Sequence, residues 1–203
     1  VLSLFGGCTT HTGTKSWGTW KLTPSLIGNL PESMAGLLLN DRFDLMNSET
    51  VILWGSNPAW NSPSSVYYTK RIRDAGAKFI SIDPFYNDSA SMLDAEWIPV
   101  RPATDTALML AIAYSMITMD DPVNYPVIDW GFLRKNTIGF DAESMPEGVD
   151  PRENFKDYVL GTYDGIPKTP EWASKICGVE PSKIRYLARE MRKDKKVALI
   201  INY

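Results

Sequence analysis

The sequence predicts an α/β fold of three layers, in which helices cover both faces of a mainly parallel β-sheet. The continuous apolar run at residues 51–54 is typical of a strand that is buried on both faces, and residues 79–82, which read F-I-S-I, are again strand-like. Between them, residues 66–75 place apolar side chains among Lys and Arg with helical spacing. A strand, a helix and a strand within about thirty residues form a βαβ unit, whose crossover is almost always right-handed.

The elements after this unit follow from the same patterns. Residues 97–100 are predicted to form a third strand. Residues 106–119 are nearly all apolar, which indicates a buried helix with Thr104 or Asp105 as its N-cap. Residues 127–133 indicate a helical turn, and residues 141–154 an exposed insertion.

The last third of the chain predicts helices and a closing strand. Residues 155–160 suit a short helix. Thr169 and Pro170 suit the N-cap and first residue of another helix, which ends near Gly178. A further helix begins at Pro181, and residues 197–201 are predicted to be a final buried strand. We expect the helices after Asp105 and after Thr169 to cover opposite faces or edges, and the strand order stays open.

Length and composition narrow the domain organisation and the partners. We interpret residues 1–50 as a lead-in segment and residues 51–203 as one compact domain of a larger protein. The net charge of −3 argues against nucleic acid as a partner. No apolar run approaches the ~18 residues of a membrane-spanning helix. Cys8 and Cys177 lie far apart without metal-binding spacing, so both are predicted to be buried thiols.

Polar and small residues follow each predicted strand. Because the carboxyl ends of parallel strands meet at one edge of a sheet, and ligands bind there, we expect these loops to lie together and to bind a nucleotide. The candidate residues are Gly55, Ser56, Asn57, Asp83, Pro84, Arg101, Thr104 and Asp105.

Each residue type suits such a ligand. Gly55 allows the backbone to approach a ligand closely. Asn57 offers a neutral donor and acceptor, and Asp83 and Asp105 offer acceptors for the N–H groups of a purine-like ring. Arg101 offers a fork for phosphate. A plain βαβ unit, in which Asp105 caps a helix and Asp83 opens a turn, accounts for the carboxylates equally well.

Three segments resemble one enzyme family. The segments G-S-N-P-A, I-D-P-x-Y-x-D-S-A and W-I-P-V-R-P-x-T-D-T-A-L are similar to those of the dimethyl sulfoxide reductase family of molybdopterin oxidoreductases, most closely to its anaerobic catalytic subunits. The resemblance implies a Rossmann-like domain and a molybdenum cofactor with two molybdopterin guanine dinucleotides (bis-MGD). It implies that Gly55, Ser56 and Asn57 contact a pyranopterin or its diphosphate, and that Asp83 and Asp105 contact guanine.

The same resemblance extends to the start of the chain. In the family, a G-G segment followed by a glycine and a serine carries the metal ligand, and Ser16 stands in that place here. The resemblance therefore implies that Ser16 is the catalytic molybdenum ligand, since an alkoxide oxygen suits a high-valent metal. His11, the single histidine, is expected to form hydrogen bonds rather than to act in catalysis.

The family also implies what the intact protein does. It would reduce a small S-oxide or N-oxide substrate by oxygen atom transfer. An iron–sulfur cluster would lie in an N-terminal part that precedes this chain. An iron–sulfur electron-transfer subunit and a membrane anchor subunit would be its partners. It would be exported to the periplasm or to the outer face of the cytoplasmic membrane.

Two other functions remain open from the sequence. A simple nucleotide-binding Rossmann enzyme would need G-x-G-x-x-G after the first strand, where this chain has Gly55-Ser56-Asn57-Pro58. A non-catalytic nucleotide-binding or interaction domain of the same fold is the second alternative.

The 203-residue chain by itself should retain far less than one equivalent of molybdenum, because it would form only one wall of a cofactor site between several domains. Elemental analysis of the purified chain by mass spectrometry measures this. One bound equivalent would contradict the interpretation of the chain as a single wall.

Overall fold

A parallel sheet forms the centre of the structure. The structure, a computed structural model, describes residues 42–61 and 63–201. In this part of the chain the sheet has four strands: β1 (Thr50–Trp54), β2 (Lys78–Ile82), β3 (Glu96–Ile98) and β4 (Val197–Ile201). Their order is β3-β2-β1-β4, and all neighbouring pairs are parallel. This order, which the sequence left open, puts β1 between β2 and β4.

Helices cover both faces of the sheet. They are α1 (Pro58–Asn61), α2 (Pro63–Asp74), α3 (Asp88–Met92), α4 (Asp105–Met119), α5 (Trp130–Asn136), α6 (Phe155–Leu160), α7 (Pro170–Cys177) and α8 (Pro181–Glu190). Short 3₁₀ helices lie at Arg42–Asn47, Ala142–Ser144 and Pro151–Glu153. The described residues group as one compact unit. In the described part of the chain, no helix is long and apolar enough to span a membrane.

Alternate side chains of β1 and β2 supply two separate cores, which explains why both strands are rich in apolar residues on both faces. Ile52 and Ile80 lie in the larger core together with α4, α7 and α8. Val51 and Phe79 lie in the smaller core, with Ile72 of α2 among the side chains that cover them. The predicted three-layer α/β fold is confirmed.

The predicted placement of the helices after Asp105 and after Thr169 is wrong. Side chains of α4, α7 and α8 share one core, so these helices cover the same face. The strand order explains this. From β1 the chain passes to β2 and β3 on one side, and it then returns past β1 to form β4 on the other side. Because crossovers between parallel strands are right-handed, a connection that runs in the return direction places its helices on the face opposite α2.

Two further expectations need correction. Leu199 and Ile201 are 48% and 53% exposed, so β4 is not fully buried, because it is the outer strand of the described sheet. Helix α5 begins only at Trp130, later than predicted, because the Asp120 carboxylate accepts the N–H groups of Val127 and Ile128 and keeps this stretch out of the helix.

The predicted start of α7 and the predicted bounds of α6 are confirmed. Thr169 is the N-cap of α7, where its hydroxyl accepts the N–H of Trp172 at 3.1 Å, and Pro170 is the first helical residue. Helix α6 has its predicted bounds. Cys177 is buried as predicted, whereas Cys8 lies outside the described residues.

A polar cluster joins α8 to the amino ends of β2 and β3, at the edge opposite the loops discussed below. The Glu96 carboxylate accepts hydrogen bonds from Lys183 and from the Tyr186 hydroxyl at 2.9 Å, and it lies 3.3 Å from the Lys78 ammonium. Partial burial alone would raise the pKa of Glu96. The hydrogen bonds from Lys183 and Tyr186, with smaller contributions from the charge of Lys183 and a hydrogen bond from Lys78, together outweigh burial and lower the pKa.

Acid should weaken this cluster. Because the pKa of Glu96 in the folded protein lies below its usual value of 4.5, its stabilising effect is present above that pH and is lost as the pH falls through the folded-state pKa. Between about pH 5 and pH 3, the free energy of unfolding of wild type should therefore fall by up to about 1 kcal/mol more than that of Glu96→Gln. Urea titrations over this pH range measure the difference.

Glu147→Gln is the matched control, since Glu147 is exposed and makes no ion pair with the described residues. If wild type and Glu96→Gln lose stability in parallel, the cluster contributes nothing to acid sensitivity.

Candidate functional site

The predicted loops meet at one edge of the sheet. Since the four described strands are parallel, their carboxyl ends share an edge. Seven of the eight predicted binding residues lie on loops that leave it, and Asp105 begins the helix that follows the third loop. The chain reverses its direction of winding between β1 and β4, which makes this position the topological switch point of the sheet. In open parallel sheets, ligands bind in the crevice at such a point.

Gly55 is the first residue after β1 and leaves the backbone open. Its φ of +58° lies in the left-handed region, which favours glycine. Its N–H donates to the carbonyl of Ile82 at 2.9 Å, so the first and second loops are joined at their bases. A Cβ built on Gly55 would meet no described atom within 4 Å, and the exposed main chain is open to close approach by a ligand. Ser56, the next residue, is buried.

Asn57 is half-buried and is held through its oxygen. Its Oδ1 accepts from the Ser89 hydroxyl at 2.7 Å and from the Ser89 N–H at 3.3 Å. Its Nδ2 donates to none of the residues that the structure describes, so this amide remains a donor for a ligand.

Asp83 is held by its own loop after β2. Its Oδ1 accepts the N–H of Phe85 at 2.8 Å and its Oδ2 accepts from Asn87 Nδ2 at 3.1 Å. The Asp83 carbonyl accepts the indole N–H of Trp97 at 2.9 Å. Asp83 therefore opens a turn across Pro84, as the alternative interpretation proposed, and each carboxylate oxygen keeps further lone pairs for a ligand.

Asp105 is joined to the end of β1. It is the first residue of α4, and its Oδ1 accepts the indole N–H of Trp54 at 2.8 Å. Its Oδ2 accepts from none of the described residues. Thr104 occupies the N-cap position, but its hydroxyl donates to the carbonyl of Arg101 at 2.7 Å and makes no capping bond. We expected the side chain of Thr104 or Asp105 to cap α4. The Thr104 hydroxyl does not do so, and the Asp105 carboxylate accepts the indole N–H of Trp54 instead.

Arg101 is turned towards the carboxyl end of α7. Its Nη1 donates to the carbonyls of Lys175 and Ile176 at 2.8 and 3.0 Å, where the cation also suits the helix dipole. A phosphate contact would have to use the remaining guanidinium N–H groups, and that role stays a prediction.

The sequence interpretation missed four side chains that shape this edge: Trp54, Asn87, Ser89 and Trp97. Asn87 could have been found, because Asn before D-S-A-S-M is a typical N-cap, and its Oδ1 accepts the N–H of Ala90 at 2.9 Å. Ser16 and His11 lie outside the described residues. Within residues 42–61 and 63–201, no three His, Cys, Asp or Glu side chains are grouped so that they could hold a metal ion.

A family model described as molybdopterin oxidoreductase matches residues 2–134. The chain belongs to the molybdopterin oxidoreductase family. Dimethyl sulfoxide reductase DmsA of Escherichia coli (strain K12) is 41% identical over 157 residues, which cover 75% of this chain and 19% of that protein. Trimethylamine-N-oxide reductase of Haemophilus influenzae (strain ATCC 51907 / DSM 11121 / KW20 / Rd) is 38% identical over 154 residues, 72% of this chain and 16% of that protein. The resemblance drawn from the three segments is confirmed.

The fold has a counterpart among solved structures. Acetylene hydratase from Pelobacter acetylenicus matches with a TM-score of 0.53 and 22% identity over 75% of this chain and 18% of that one, which supports the fold. The chain spans about a fifth of the length of the curated relatives it matches.

The arrangement fits the molybdenum–pterin cofactor that the family implies. The main chain at Gly55 has open space where a Cβ would stand, as close contact with a ligand requires. Asp83 and Asp105 supply acceptors, and the Asn57 amide supplies a donor. These residues would hold part of that group.

Removing the Asp105 side chain should destabilise the fold, because the nearly buried indole N–H of Trp54 would lose its partner. Asp105→Ala should lower the free energy of unfolding by about 1–3 kcal/mol. Asp105→Asn keeps an acceptor oxygen and should lose less than half of that. Urea denaturation followed by Trp fluorescence measures both variants, and equal losses for the two would show that the hydrogen bond to Trp54 is not the cause.

Proposed function

We propose that the intact protein is the catalytic chain of a molybdenum oxidoreductase that binds bis-MGD and reduces an S-oxide or N-oxide by oxygen atom transfer. The observation that carries this proposal is the open main chain of Gly55 at the switch point, beside loops that hold two part-exposed carboxylates, in a chain of the molybdopterin oxidoreductase family. The substrate class is supported by the relatives named dimethyl sulfoxide reductase and trimethylamine-N-oxide reductase.

Different residues of this chain bind different parts of one dinucleotide. Asp83 and Asp105 accept the N–H groups on the guanine edge, since an ionised carboxylate can accept hydrogen bonds but cannot donate them. Gly55 lets the diphosphate or the pterin approach the main chain, and Asn57 Nδ2 donates a hydrogen bond there. Arg101 adds positive charge, and Ser56, Pro84 and Thr104 shape the loops.

The chemistry at the metal depends on parts outside the described residues. When bound, the molybdenum of the cofactor supplies the two-electron exchange that removes an oxygen atom from the substrate. Ser16 is the proposed protein ligand of that metal. An iron–sulfur cluster, an iron–sulfur subunit and a membrane anchor subunit would deliver the electrons, and we propose a periplasmic or outer-face location for the intact enzyme.

Asp83→Asn tests the guanine contact in the intact protein. An Asn keeps an oxygen for the N–H of Phe85, so the turn should persist, but its amide group presents a donor where the guanine N–H groups need an acceptor. The guanine nucleotide retained per protein, released by acid and measured by chromatography, should fall about tenfold or more.

Asp129→Asn is the matched control, because Asp129 is also a turn-forming carboxylate but accepts the N–H of Phe132 at the start of α5. Guanine content that stays at the wild-type level in Asp83→Asn would disprove the assignment of Asp83.

A further inference from the structure

The short helix α3 connects the two loops that the proposed site needs. Ser89 of α3 is completely buried. Its hydroxyl donates to Asn57 Oδ1 at 2.7 Å and accepts the N–H of Ala59 at 2.9 Å, so both of its hydrogen-bonding roles serve the loop after β1. A buried hydroxyl with both roles filled holds its partners in one arrangement.

The other end of the connection is Asn87. Its Oδ1 caps α3 by accepting the N–H of Ala90 at 2.9 Å, and its Nδ2 donates to Asp83 Oδ2 at 3.1 Å. A continuous path of contacts therefore runs from Asn57 through Ser89 and the first turn of α3 to Asn87 and Asp83. The sheet fixes the bases of the two loops through the bond from Gly55 to Ile82, and this path fixes their tips.

We infer that Ser89 and Asn87 are positioning residues, which set the distance between the Gly55–Asn57 loop and the Asp83 loop for a guanine nucleotide that touches both. This inference rests on the proposed function. Neither Ser89 nor Asn87 contacts the nucleotide in this inference. Asn87 orients the acceptor for the base, and Ser89 keeps the loop for the diphosphate in register with it.

Pre-arrangement of two loops benefits only a ligand that reaches both of them. Such a ligand binds more tightly when the distance between the loops is fixed beforehand, because less freedom is lost on binding. Guanosine reaches the base side alone, whereas GDP carries a diphosphate that can reach the Gly55–Asn57 loop. The two ligands therefore separate positioning from a general structural role.

The experiment is a titration of the intact, cofactor-free protein with radiolabelled guanosine and with radiolabelled GDP, followed by equilibrium dialysis, which detects weak binding. Ser89→Ala should weaken GDP binding about tenfold and change guanosine binding by less than about twofold. Asn87→Ala frees the Asp83 carboxylate and should weaken both ligands.

Ser115→Ala is the matched control. Ser115 is also a buried serine, but its hydroxyl donates to the carbonyl of Ala111 inside α4, so its removal should leave both affinities unchanged. If Ser89→Ala does not fold, Ser89→Cys keeps the packing and replaces the hydroxyl with a weak donor and acceptor, and it should show the same loss for GDP only.

The outcomes separate this inference from the proposed function. If wild type binds neither guanosine nor GDP, the guanine site itself is wrong and the inference falls with it. If wild type binds GDP and the Ser89 variant matches the Ser115 variant, only the positioning role is wrong. An equal loss for guanosine and GDP in the Ser89 variant would likewise overturn it, since Ser89 would then be a structural residue alone.

Discussion

The central position of β1 is the constraint on which the rest of the structure depends. It pairs with β2 on one side and β4 on the other, and all five of its residues are buried. A strand that is covered on both faces and both edges can meet solvent only at its ends. The chain therefore leaves it abruptly at Gly55, where a positive φ turns the backbone across the edge at which the winding direction reverses.

The polar residues at this edge are held by contacts within the protein itself. Asp83 is fixed by its own turn and by Asn87, Asp105 by the indole of Trp54, and Arg101 by the end of α7. Such contacts orient each group while leaving part of its hydrogen-bonding capacity free. A site arranged in this way loses little freedom on binding, which suits the proposed nucleotide.

Likeness in fold and likeness in sequence indicate different things about this chain. One fold supports many activities, so the structural likeness to acetylene hydratase bears on the architecture. The sequence relatives connect this chain to molybdopterin oxidoreductases. The open main chain at Gly55 and the carboxylates of Asp83 and Asp105 support the proposed nucleotide at this edge.

The sequence by itself determined the elements whose signals are local. The apolar runs of β1 and β2, the Thr169-Pro170 start of α7 and the family segments could be read without coordinates, because a buried strand, a helix cap or a ligand loop is encoded by adjacent residues.

Only the tertiary structure decided the strand order, the shared face of α4, α7 and α8, and the bonds from Trp54 to Asp105 and from Ser89 to Asn57. These features join residues that are distant in the chain, and no local pattern specifies which distant partner a side chain meets. The return of the chain from β3 past β1 to β4 placed α4, α7 and α8 on one face of the sheet.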